Sequence, residues 1–296
     1  MEAQQLGDHH YDRMKELKEF DESKAGVKGL SDSGIISIPR IFVHPPESVS
    51  DTVKKPEDSQ PPISIPVIDL FGVNSLSDRP KIVDQVKRAA KEWGFFQVIN
   101  HGIPLSVQND TVSAVKAFFD LPVDAKAKHY KRLAGERGVT HASNFDLFRS
   151  AAASWRDSLQ VRQLPEGAEE EAAVPEVCRR EILEWFSLAA GVAEGLMELL
   201  AEGLGLERGR LKELSFLDTK VFMSHCYPYC PEPDRTVGIT SHTDASILTV
   251  LMQNQVPGLQ VNHDGVWVDV KPQHGGLIVN IGDFFQVYFT LVWENH

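Results

Sequence analysis

The chain has 296 residues, 42% hydrophobic and 24% charged, with a formal net charge of −12 at pH 7. This describes a soluble globular protein of one large domain or two smaller ones. The acidic excess is offset by no basic stripe, which argues against nucleic acid or an anionic membrane as a partner.

Met1 to Phe20 is charged and lacks a signal-peptide core. No run approaches the roughly 18 apolar residues of a membrane span. The expected location is cytoplasmic, and the expected state monomeric. Tyr11 to Phe20 suits a short helix, and the three glycines of Gly26 to Gly34 predict a break. An extended Ile35 to Val43 follows, and Pro45 to Pro62 reads as a polar, proline-rich connection. Ile65–Leu70 predicts a strand, Arg79–Trp93 a helix, Phe95–Asn100 a strand and Val107–Phe119 a helix. Glu166, Glu169, Glu170 and Glu171 read as a solvated loop.

Glu176 to Leu204 is the longest periodic segment. Ile182, Trp185, Phe186, Ala189, Ala193, Leu196, Met197 and Leu200 recur at three- and four-residue spacing, which predicts an amphipathic helix on a flat surface. From Thr219 onward the runs are short and β-rich: Lys220–Met223, Ser246–Met252, Leu259–Asn262, Val266–Val270 and Leu277–Ile281. Pro257-Gly258, Asp264-Gly265 and Gly275-Gly276 supply turns between them. The expected fold class is α+β, with a helical N-terminal part supporting a β-roll. The expected division is an extension and linker over 1–62, a mostly helical region over 63–210 and a jelly-roll region over 211–296.

His242-Thr243-Asp244 opens the β-branched run at 246–252. On a strand, residues two apart share a face, so the imidazole and carboxylate could reach one metal ion. That is two thirds of a 2-His-1-carboxylate triad; a solvent-facing surface pair is the alternative. Tyr227, in Ser224-His-Cys-Tyr-Pro-Tyr-Cys-Pro231, reads by itself as a packed rim aromatic. His101 reads as a turn residue, and His263 and His274 as exposed positions in or beside turns. Cys178, Cys226 and Cys230 form too sparse a set for a disulfide framework or zinc ribbon, and Cys226 and Cys230 read as small buried hydrophobes.

Matching stretches run in order along the chain: Phe20–Leu30, Ile38–Phe42, Ile65–Asp69 and Trp93–Gly102. They continue with Ser143–Leu147, Trp155-Arg-Asp157, Tyr227-Pro228, Cys230–Pro233, His242-Thr-Asp244 and Val279–Asp283. With these the chain resembles the plant 2-oxoglutarate- and Fe(II)-dependent dioxygenases, in the subgroup of 1-aminocyclopropane-1-carboxylate oxidase homologues. The resemblance implies a double-stranded β-helix in which His242 and Asp244 are iron ligands and Tyr227 contacts 2-oxoglutarate. It implies Fe(II) as cofactor, 2-oxoglutarate and O2 as cosubstrates, ascorbate as support and a small plant specialised metabolite as substrate. No residue is assigned as catalytic beyond these.

The tail departs from that pattern. Gly282-Asp-Phe-Phe-Gln286 continues as Val287 to His296 without the family's His-Arg and Arg-x-Ser segments, and no arginine follows Arg235. On this reading the closing strands are missing, the carboxylate clamp that a guanidinium supplies has no replacement, and His296 is a poor third ligand. The expectation for the chain as written is weak Fe(II) binding and negligible turnover, as for a truncated, inactive family member. A purely structural module would leave His-Thr-Asp and Tyr-Pro without a role.

Overall fold

The computed structural model describes residues 11–50, 63–132, 138–163 and 173–293. Helix α1 (Arg13–Ser23) starts at Asp12, whose carboxylate accepts from the Lys15 amide at 3.0 Å. This satisfies one of the amides that a helix start leaves unpaired. Its Leu17 and Phe20 join Val27, Ile41, Phe42 and Trp155 in a small core of their own.

Where glycines predict a break, the structure has helix α2 (Gly26–Asp32). The reason is distant in sequence. The Asp157 carboxylate accepts from the Val27 and Lys28 amides, each at 2.8 Å, so a carboxylate caps the positive end of the helix. Gly26 is required there, because its φ is +69° and a Cβ would sit 2.6 Å from Asp157 Oδ2. Helix α3 (Pro46–Ser50) follows.

The next elements are β1 (Val67–Asp69), α4 (Arg79–Glu92), β2 (Phe95–Ile99), α5 (Leu105–Phe119) and α6 (Val123–Ala127). Then come β3 (Gly138–Ser143), β4 (Asp157–Gln163), α7 (Arg179–Gly203), α8 (Arg210–Glu213) and β5 (Lys220–Cys226). The chain continues through β6 (Leu248–Leu251), β7 (Gln260–His263), β8 (Val266–Asp269), β9 (Leu277–Ile281) and α9 (Asp283–Trp293). The class is α+β, as expected. No strand follows Ile281 among the described residues, and no helix among them is long and apolar enough to cross a membrane.

One sheet has the order β1-β2-β9-β6, parallel between β1 and β2 and antiparallel thereafter. Strand β9 is buried at every residue, which suits its near-continuous apolar run. A second, antiparallel sheet has the order β3-β4-β5. Strands β3 and β4 come from the region read as mostly helical, so a single sheet joins the 63–210 and 211–296 regions. The hairpin β7-β8 turns at Asp264-Gly265 with φ of 51° and 81°, a turn whose positive angles Asp and Gly accommodate.

Ile82 and Val86 of α4, Phe118 and Phe119 of α5 and Ile182, Leu196 and Leu200 of α7 pack with the strands in the main core. Each such side chain contributes about 1.5–3 kcal/mol on burial. Arg79 locks α4 to α7 through Glu198 at 3.1 Å and Glu202 at 2.6 Å. His263, expected to be exposed, instead stacks on Trp93 with ring centroids 3.8 Å apart. His101 does sit in a turn, its Nε2 2.8 Å from the Gly275 carbonyl oxygen.

Candidate metal centre

His242, Thr243 and Asp244 lie in irregular backbone ahead of β6, not at the start of a strand as the sequence predicts. Strand alternation therefore does not aim them; side-chain and backbone contacts do. His242 Nδ1 is 2.9 Å from the Thr240 carbonyl oxygen. A proton on Nδ1 makes that bond and leaves Nε2 with its lone pair, the form that ligates a metal. Nε2 stands 3.5 Å from Asp244 Oδ1, close enough for both atoms to share one ion.

Asp244 is held from the other side. Its Oδ2 accepts from Thr249 Oγ1 at 2.7 Å and from Asn280 Nδ2 at 2.9 Å. The His242 contact first, then Asn280 and Thr249, hold this carboxyl far below the usual carboxylate range. It is thus ionised and oriented, as a ligand must be. Asp244 in turn raises the proton affinity of His242. Asn280 is a buried amide in an otherwise apolar strand, and its bond to Asp244 explains it.

The Val279–Asp283 stretch braces the loop further. Thr243 Oγ1 donates to Asp283 Oδ2 at 2.7 Å, and the Asp283 amide donates to the Asp244 carbonyl at 2.8 Å. Gly282 must be glycine, since a Cβ there would run into the Ser246 carbonyl. Asn280, Thr249 and Asp283 carry no motif of their own in the sequence; the one local signal is a polar Asn inside the apolar run Leu277–Ile281.

Tyr227 is half exposed and lies on Gly238, where a Cβ would come within 2.8 Å of its ring. Burial pushes its phenol up, and Arg156 beside it opposes that through charge and a hydrogen bond. His225, two residues earlier, takes a hydrogen bond at 2.8 Å between its Nδ1 and Ser158 Oγ. Burial, with the charges of Arg156 and His242, pushes this imidazole down to about 3. Neither Arg156 nor His225 was singled out from sequence. Arg156, directly before β4, stands close enough for its charge to act on both His225 and His242.

Among the described residues, no third His, Cys, Asp or Glu joins His242 and Asp244 in a group that could hold a metal. His296 lies outside the described residues, as does the acidic cluster at 166–171. An imidazole nitrogen and an ionised carboxylate are hard-to-borderline donors suited to Fe(II), so the residues present fit two positions of an iron site.

Two family models match the chain: a non-haem dioxygenase N-terminal region over residues 65–181 and the 2OG-Fe(II) oxygenase superfamily over residues 218–292. The chain is 42% identical over 279 residues to 1-aminocyclopropane-1-carboxylate oxidase homolog 12 of Arabidopsis thaliana, covering 94% of itself and 75% of that protein. The chain belongs to the 2OG-Fe(II) oxygenases. Solved members of this oxygenase family share its jelly-roll fold. JOX2, solved in complex with 2OG, Fe and JA, superposes with a TM-score of 0.72 at 28% identity, covering 88% of this chain and 74% of JOX2. The dioxygenase for auxin oxidation 1 from Arabidopsis thaliana, a 2-oxoglutarate complex, gives 0.61 at 26% identity, covering 76% of this chain and 82% of that one. Oxygenases of this family use Fe(II) and 2-oxoglutarate.

Proposed function

We propose that this chain oxidises a small plant specialised metabolite in an Fe(II)- and 2-oxoglutarate-dependent reaction, with His242 and Asp244 as metal ligands and Tyr227 against 2-oxoglutarate. The observation that carries the reading is the 3.5 Å edge between His242 Nε2 and Asp244 Oδ1, with every other polar atom of the pair turned away to a bonding partner. JOX2 with JA and the auxin-oxidising relative support a small-molecule substrate.

When bound, Fe(II) and 2-oxoglutarate would supply the oxidising chemistry, in which O2 and 2-oxoglutarate yield succinate, CO2 and an oxygenated substrate. The protein's own part is positioning. Thr240 fixes the His242 tautomer, and Asn280 and Thr249 fix the Asp244 carboxylate. The phenol of Tyr227 would donate to a cosubstrate oxygen.

Because only two candidate ligands meet among the described residues, a second reading is a family member with weak metal binding and no turnover. Succinate release separates the two. The first predicts Fe(II)-dependent succinate that falls at least about 100-fold in His242→Ala and in Asp244→Ala, since loss of a ligand removes the site. Release at equal rates in wild type and both variants would contradict the proposed ligands; no release in wild type would favour the second reading.

A further inference from the structure

The Trp155-Arg156-Asp157 segment has a part that the metal pair does not explain. Trp155 turns one way and pins the Tyr-Pro loop, its Nε1 donating to the Pro228 and Tyr229 carbonyls at 3.2 Å each. Asp157 is fully buried and caps α2. Arg156 between them precedes β4, its amide donating to the Ser154 carbonyl at 2.9 Å, so its own contacts and not strand alternation place it. The β4-β5 ladder ends with Asp157 paired to Cys226, and just beyond that end the Arg156 side chain hydrogen-bonds Tyr227.

Arg156 is also one of the residues with an unmet polar atom. Among the described residues, the buried side-chain polar atoms without a partner are Thr140 Oγ1, Arg156 Nε, Arg162 Nε, Thr236 Oγ1 and Gln253 Nε2. Thr140 pairs with Gln160 in the register, so Thr140 and Arg162 lie on one side of the sheet, while Arg156 stands at the end of β4 against Tyr227. Buried donors without partners are costly and uncommon in native proteins. A cation with a buried, unbonded N–H, beside Tyr227 and close enough to act on His225 and His242, is arranged to receive an anion.

We propose that Arg156 is the carboxylate receptor of this site, binding the acid group of a small molecule through its guanidinium with Tyr227 as a co-donor. This deepens the oxygenase reading and rests on it. The carboxylate is either the distal end of 2-oxoglutarate or that of an acidic substrate. A planar guanidinium is the group best matched to a carboxylate, and Lys reproduces the charge but not the fork.

The test is calorimetric titration of the full chain, as wild type, Arg156→Gln and Arg156→Lys, with 2-oxoglutarate and, separately, with indole-3-acetate, with and without saturating Mn(II). The expected result is that Arg156→Gln weakens at least one acid by about 10- to 100-fold, the size of one lost charge-assisted hydrogen bond. Arg156→Lys should recover part of that loss. A loss confined to 2-oxoglutarate assigns the cosubstrate as the source of the carboxylate; a loss confined to indole-3-acetate assigns the substrate. Equal titrations of both acids in wild type and Arg156→Gln, including no binding by either, would overturn the proposal. Should the variants fail to fold, phenylglyoxal labelling of wild type decides: an acid that binds must suppress the Arg156 adduct, and unprotected labelling counts against the proposal. Mn(II) affinity measured alone keeps the two readings apart, because an intact metal site with unprotected Arg156 sinks only this inference. Absent Mn(II) binding with protected Arg156 sinks only the metal reading.

Discussion

His225 shows how one residue couples the site to stability. Burial holds its imidazole neutral down to about 3, whereas the ordinary value is 6.5. Between those values the unfolded chain takes up a proton that the folded chain refuses. Stability from this residue is therefore complete above pH about 6.5 and is lost as the pH falls toward 3. At about 1.4 kcal/mol per pH unit, reduced by partial solvent contact, wild type should lose about 1–2 kcal/mol on going from pH 7.5 to pH 5. Urea unfolding at both values checks this against His225→Gln, which should lose little. Parallel losses in the two proteins would remove His225 as the cause.

Helix α2 depends on a residue of β4. The Asp157 carboxylate receives the Val27 and Lys28 amides and the Ser143 hydroxyl while fully buried. Asp157→Ala leaves those donors unpaired and should cost about 2–4 kcal/mol. Hydrogen exchange should then quicken at the α2 amides with those of α7 unchanged, and α2 protection equal to wild type would show that the cap is not needed. This contact also explains what the sequence could carry. α7, α4 and β9 were legible because their burial follows a local period, the three- and four-residue spacing of Ile182 to Leu200 or the apolar run Leu277–Ile281. α2 was not, because its glycine-rich segment is helical only when Asp157 arrives. Strands β3 and β4 were missed although Leu159 and Val161 alternate with Ser158, Gln160 and Arg162, a period too short to stand out.

Across the whole molecule, the site is assembled where three parts of the chain converge. The His-Thr-Asp loop is braced by Asn280 of β9 and Asp283 of α9, while His225 of β5 and Arg156 before β4 are close enough to His242 for charge to act between them, and Tyr227 hydrogen-bonds Arg156. Sequence supplied His242, Asp244 and Tyr227 as candidates through motif order along the chain. The bracing residues emerge only from folding, since Asn280 of β9 meets Asp244 of the loop before β6, and Arg156 meets Tyr227 just beyond the paired ends of β4 and β5. His242 and Asp244 are the proposed shared ligands of Fe(II). Anaerobic calorimetric titration of Fe(II) into wild type, His242→Ala and Asp244→Ala tests that assignment most directly. One Fe(II) per wild-type chain is expected, with an affinity weakened at least about 10- to 100-fold by either substitution. Equal Fe(II) affinity in all three proteins would contradict the assignment.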